Sequence, residues 1–291
     1  MSYLGGYLAI GFIRLLALLP LPIIRGLGFL IARLLYVLIP SRRKIAIKNL
    51  QLCFPELAQA EIIKLSKQHF VYFVQAWLDR SWIWHASPRI TKKRLCITGE
   101  WQQIHQDNAI VLFVPHFVGL DAAGIAVTQQ LPRSMVAIYT NQSNPVIDAW
   151  VLERRARFGN IKMMSRLAGV KEIVSALRKG GMLALLPDMG FGPDECIYVP
   201  FFGVNTSTMP SLPRFAKLGK AKVLTIVSRM TPSGYDIEFL PAWDNYPTQD
   251  LYQDTLFMNQ QLEAQIKTMP AQYFWVHKRF KHRPPGEPSI Y

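Results

Sequence analysis

Apolar positions dominate the first forty residues. From Tyr3 to Ile39 the run carries charge only at Arg14, Arg25 and Arg33, and Pro20 and Pro22 divide it into residues 3–19 and 21–39. Each piece is close to the roughly 20 residues that cross a bilayer. An arginine near the middle of each makes a simple span costly. The pattern therefore predicts an anchor that is either one tilted span or an interfacial helical hairpin. No basic residue precedes the run and no small-x-small site follows it, which excludes the signal-peptide pattern. Arg42, Arg43, Lys44 and Lys48 come next, and basic residues just beyond an apolar segment stay cytoplasmic and face anionic headgroups.

Beyond the anchor the periodicity changes. Residues 57–86 place Ile62, Leu65, Phe70, Phe73, Val74 and Trp77 near helical spacing. Short apolar runs at 109–114, 135–139, 182–186, 222–227 and 235–239 read as strands. Between and after them, residues 120–130, 145–158, 170–179, 210–218 and 251–269 read as helices. Strands alternating with helices, and apolar on both faces, predict an α/β fold with a mainly parallel or mixed sheet flanked by helices. The expected division is a membrane anchor over residues 1–40 and one catalytic domain over 41–291.

Composition narrows the function classes. Half of the 291 residues are hydrophobic, which excludes a disordered chain. Three cysteines exclude a disulfide scaffold. The net charge is +14 with a charged fraction of 18%, so the balance reflects scarce acids more than dense Lys and Arg. A basic chain seeks an acidic partner, and this apolar background suits a membrane surface better than nucleic acid. The tail from Pro270 interleaves aromatics with bases, which also suits a headgroup boundary.

The candidate chemistry begins at His116, which follows the first buried strand in Val114-Pro115-His116-Phe117-Val118-Gly119-Leu120-Asp121. Strand ends that lead into helices are where α/β proteins place their sites. In one continuous helix His116 and Asp121 would lie about 140° apart. They can meet only with His116 in the loop and Asp121 in the first helical turn. A carboxylate there would fix the imidazole tautomer and leave the other nitrogen as a base for a hydroxyl. Arg155 belongs to a Glu153–Arg157 basic cluster that reads either as a solvated face or as a phosphate fork. Asp188 ends a strand after Pro187 and reads either as a turn cap or as a site acid. There is no Ser-hydrolase elbow, P-loop, dinucleotide fingerprint or metal-type Cys/His spacing, so neither a cofactor nor a metal is expected.

These residues carry a resemblance. Lys48-Asn49-Leu50, Cys53-Phe54-Pro55-Glu56, His116 to Asp121, Asn144-Pro145 with Asp148 and Arg155, and Pro187-Asp188 with Phe191-Gly192-Pro193 occur in order. Val199-Pro200-Phe201-Phe202-Gly203, residues 275–281 and residues 283–291 complete the set. Across residues 42–291 the chain resembles the bacterial lipid A biosynthesis acyltransferases, the late lauroyl/myristoyl transferases. The resemblance implies a glycerolphosphate-acyltransferase-like fold at the cytoplasmic face of the inner membrane, an acyl carrier protein thioester as donor and a Kdo-bearing lipid A precursor as acceptor. It puts the family's base on His116 with Asp121, its functional arginine on Arg155 and the acid of its Pro-Asp block on Asp188. Where some relatives carry Tyr-Arg this chain has Tyr139-Thr140, and Gly190 replaces a second acid. Arg154, Arg157, Lys162 and Arg166 are the expected docking cations for an acidic carrier. Phospholipid-type acyltransferases use the same His/Asp chemistry, and a non-catalytic protein that binds anionic lipid would share the charge and the anchor.

Overall fold

Prolines set several of the helix starts in the computed structural model, which describes residues 3–105, 108–165, 169–190, 192 and 196–291. A proline in the first helical turn gives up an N–H that would have no partner there. After α1 (Tyr3–Leu16), Pro20 and Pro22 mark the start of α2 (Leu21–Leu38), and Pro40 opens α3 (Pro40–Cys53). The long α4 (Gln59–His85) is followed by α5 (Pro88–Arg94), where Ser87 accepts from the Ile90 N–H. Asn144 caps α7 (Pro145–Arg155) by accepting from the Val146 and Ile147 N–H groups.

The remaining elements build the sheet. They are β1 (Leu95–Gly99), β2 (Ile110–Phe113), α6 (Leu120–Gln130), β3 (Met135–Tyr139), β4 (Ile161–Ser165), α8 (Val170–Arg178), β5 (Met182–Leu185), α9 (Ser211–Gly219), β8 (Lys222–Thr231), β9 (Gly234–Phe239) and α10 (Leu251–Thr268). A separate antiparallel hairpin pairs β6 (Ile197–Phe201) with β7 (Val204–Thr208). Among the described residues the main sheet has seven strands in the order β1-β9-β8-β2-β5-β3-β4. Every neighbouring pair is parallel except β8 and β9. The expected α/β class with a largely parallel sheet is what the chain adopts. Both faces are covered: Val111, Phe113, Leu183 and Leu185 enter one core, and Leu112 and Ala184 the other, as the two-residue period requires.

The apolar N-terminus docks on this body. Leu21, Ile24, Gly28 and Ala32 form the buried stripe of α2. At Gly28 a Cβ would lie 2.8 Å from Gln75 Cγ and 3.2 Å from the Gln75 Cα, so glycine permits the close approach to α4. Arg25 forms an ion pair with the fully buried Asp79 at 3.0 Å. The charge that would be costly in lipid is thus neutralised inside the protein. Leu4, Leu8, Phe12, Leu27, Leu30, Leu34 and Val37 leave an exposed apolar stripe on the outer side of α1 and α2. By length and composition α2 could cross a membrane, and α1 is shorter.

Part of the tail expected at a membrane surface packs into the body. Trp275 and Phe280 are buried, and Arg279 is buried with its guanidinium donating to the Ser207 carbonyl and Thr208 Oγ1 over the Phe201 ring. Asn49 of α3 donates to the carbonyls of Trp275 and His277 at 2.7 Å. Trp275, Arg279 and Phe280 of this mixed segment form a buried strap, while Lys278 and Lys281 stay exposed.

Candidate active site

Strand register brings the first pair together. β2 and β5 are parallel neighbours with Phe113 opposite Leu185. His116 and Asp188 each lie three residues beyond that rung, so the two loops leave the sheet side by side. Parallel strand ends are where α/β folds gather chemistry. The His116 loop is pinned by the Val118 N–H to the Gln272 carbonyl at 2.9 Å. Gly119 is needed next: a Cβ there would lie 2.8 Å from both Ser228 Oγ and Tyr235 Cδ1.

Asp188 is fully buried and receives three donors. His116 Nδ1 lies 2.7 Å from Oδ1, while Oδ2 accepts from the His116 N–H at 2.9 Å and from the Tyr273 hydroxyl at 3.2 Å. Burial pushes the Asp188 carboxyl up, but the His116 charge and hydrogen bonds outweigh it and hold it below the usual carboxylate range. A carboxylate accepts only, so Nδ1 carries a proton in this contact, and when the imidazole is neutral Nε2 is the basic nitrogen. The His116 ring lies over Phe274, at 6.2 Å between centroids, and His277 stacks on the same Phe274.

The expected contact between His116 and Asp121 is replaced by a different one. Asp121 sits in the first turn of α6 as predicted. Its Oδ2, however, accepts from Arg80 Nε at 2.7 Å and its Oδ1 from Arg155 Nε at 2.8 Å. Arg80 projects from α4, stacked 3.8 Å over Trp77, and Arg155 closes α7. Burial raises the Asp121 carboxyl, and the charges of Arg155 and Arg80 overcome this and hold it well below the ordinary range. The corrected arrangement has Asp188 orienting His116, while Asp121 holds two guanidinium groups. The reason is geometric: two donors converge on Asp121 from α4 and α7, whereas the strand register delivers Asp188 to the imidazole.

His116, Asp121 and Arg155 all line one cavity of about 920 Å³, most of whose other lining residues are apolar. That volume is at the upper end of the roughly 300–1,000 Å³ of small-ligand sites. Among the described residues no group of three His, Cys, Asp or Glu side chains is placed to hold a metal. Arg80, Tyr273 and Phe274 are the site residues the sequence reading missed. Arg80 stands in a helix whose pattern reads as core, and the aromatic density after Pro270 was the one available signal for the other two.

The expected carrier-docking cations are largely engaged. Arg154 pairs with Glu153 and Lys162 with Glu172, while Arg157 donates to the Ile83 and Ala86 carbonyls. Arg166, and with it Phe191 and Pro193 of the resemblance, lie outside the described residues.

Comparison with known proteins identifies the family. The family model for bacterial lipid A biosynthesis acyltransferases matches residues 1–282. The lipid A biosynthesis palmitoleoyltransferase of Escherichia coli K12 is 31% identical, and the lauroyltransferase of the same strain 30% identical. Both alignments cover 98% of this chain and 94% of the relative. The lipid A biosynthesis myristoyltransferase of that strain is 30% identical over 99% of this chain and 90% of its own length.

Proposed function

This chain belongs to the bacterial lipid A biosynthesis acyltransferases, and on that premise we propose that it moves a fatty acyl chain from an acyl carrier protein thioester to a hydroxyl of a Kdo-bearing lipid A precursor. His116 Nε2 takes the proton of the acceptor hydroxyl. Asp188 keeps the Nδ1 proton in place and balances the imidazolium that forms. The activated oxygen attacks the thioester carbonyl carbon, the C–S bond breaks, and the departing thiolate recovers the proton from His116. The oxyanion that forms between these steps needs prepositioned donors. Arg155, tethered through Nε to Asp121, offers its remaining N–H groups at the cavity wall. The donor chain occupies the part of the cavity beneath α6, where the walls are apolar and buried.

The observation that carries this reading is the 2.7 Å contact between His116 Nδ1 and Asp188 Oδ1 at the wall of a largely apolar cavity. The purified protein, given an acyl carrier protein thioester and the lipid A precursor, is expected to add one acyl mass to the lipid. Transfer to glycerol phosphate instead, or hydrolysis alone, would overturn the assignment.

Residues 1–40 serve in this reading as an in-plane membrane seat at the cytoplasmic face of the inner membrane, and 41–291 as the catalytic domain. The exposed apolar stripe of α1 and α2 supports it, since such a face enters the headgroup boundary. The Arg25–Asp79 ion pair favours the hairpin over a free span, because pulling α2 away would strand a buried carboxylate. The exposed Arg42 and Lys44 would meet anionic headgroups.

A further inference from the structure

The cavity does not stay on one side of the sheet. It bends round the C-terminal ends of β3 and β5, where Tyr139, Pro187 and Gly190 line it. One arm runs beneath α6 between Leu112, Ala123, Val127 and Ala184, all at most 6% exposed. A Cβ at Gly124 would meet nothing within 4 Å there, so the helix itself leaves room for a chain. The other arm lies on the opposite face, where Val170 and Ile173 of α8 face Phe215 and Leu218 of α9.

The two arms differ in enclosure. The α6 arm is walled by buried side chains, with half-buried Ala137, Ile161 and Met163 along β3 and β4, whereas the rims of the second arm are exposed, Val170 by 53% and Leu218 by 43%. In α9 the core is served by Leu212, Ala216 and Gly219, so Leu218 is apolar on a face that packing within the chain does not require. One turn before it, Arg214 lines the same arm, exposed and without a side-chain partner among the described residues. An open apolar groove that ends on a free guanidinium, and that continues into the cavity at His116, fits an acyl chain attached to an anionic headgroup too large to enter.

We infer that the groove between α8 and α9 seats an acyl chain of the acceptor lipid. The two substrates then approach His116 from opposite faces of the sheet, the donor chain beneath α6 and the acceptor chain between α8 and α9. Arg214 meets the acceptor's anionic head. This deepens the transfer reading above and rests on it.

Two measurements test the assignment in the full-length protein. A lipid A precursor carrying a photoactivatable diazirine on an acyl chain is expected to cross-link to peptides of α8 and α9, and a diazirine on the donor chain to peptides of α6. In steady-state transfer, Leu218→Asp and Val170→Asp, both at exposed positions, should raise KM for the acceptor about tenfold, because a charge in the groove is desolvated by the chain. The donor's KM and chain-length preference should stay within twofold. Cross-linking of the acceptor chain to α6, an unchanged acceptor KM, or loss of vesicle binding in place of the KM effect would overturn the groove assignment. Wild-type protein that fails to acylate the precursor at all would instead overturn the transfer reading, which separates the two.

Discussion

Two buried carboxylates lie beside one cavity, Asp121 in its wall and Asp188 behind the His116 that lines it, and they hold different partners. Asp188 meets an imidazole, and Asp121 meets two guanidinium groups. Both carboxyls are held below their ordinary range. The partner decides the role. An acid on a histidine keeps a neutral base in one tautomer, whereas an acid between two arginines fixes cations and leaves their outer N–H groups free. Burial and depression alone do not distinguish a catalytic acid–base pair from a positioning cluster.

That contrast can be broken most severely at Asp188. Asp188→Asn should lower kcat about a hundredfold, the lower end for loss of general-base function, with the acceptor and donor KM values little changed. A variant that keeps more than half the wild-type kcat would remove Asp188 from the mechanism.

Asp121→Asn should show the reverse balance. Arg80 and Arg155 would remain close together without their counter-charge. Removing one member of a buried ion pair costs about 3–5 kcal/mol. These arginine side chains keep 20% and 29% exposure, so about 2–3 kcal/mol is expected from chemical denaturation. The turnover loss should be near tenfold, through displacement of Arg155. A stability unchanged within 0.5 kcal/mol, the range about expected for ordinary surface substitutions, would contradict the ion-pair account.

The smallest effect concerns acid. Both carboxylates, with depressed values, contribute stability that is in place above their ordinary value of 3.8 and is lost as pH falls below it. His69 behaves differently. It is fully buried, and burial pushes it down from 6.5 to about 4 against the opposing Ala271 hydrogen bond. Between those values only the unfolded chain takes up the proton, so stability falls as pH falls, by up to about 1.4 kcal/mol per pH unit. Melting curves from pH 7 to pH 4 should decline, less steeply in His69→Gln and unchanged in slope in Asp121→Asn. His85 and His277, also pushed down to about 4 by burial, supply the rest of the decline, and equal slopes in all three proteins would exclude His69 as a contributor.

The sequence made local features legible and left pairings hidden. The strand run at 109–114, the loop His116 and the helix from Leu120 could be read because a continuous apolar run, a proline and a helical pattern follow one another. The partner of His116 could not, because it depends on β2 and β5 being neighbours across 72 residues. Arg80 was invisible for the same reason, since it reaches Asp121 from a helix 41 residues earlier. The edge strands β1 and β4 are only partly buried and lack the continuous apolar run that made β2 and β5 legible. The apolar N-terminus was plain from composition. Its docked face was not, because the Arg25 that argued against a simple span finds its counter-ion in α4.

The central claim is that His116 works through Asp188 and not through Asp121. Single-turnover acyl transfer in two double-mutant cycles tests it most directly, with folding checked by melts. His116→Ala alone should cost about 10²–10⁴ in rate. Groups that act as a unit are strongly non-additive, so adding Asp188→Asn to His116→Ala should cost almost nothing further. Adding Asp121→Asn to His116→Ala should still cost most of its own tenfold, because Arg155 acts independently of the base. The reverse pattern, with Asp121→Asn silent and Asp188→Asn additive in the His116→Ala background, would contradict the account.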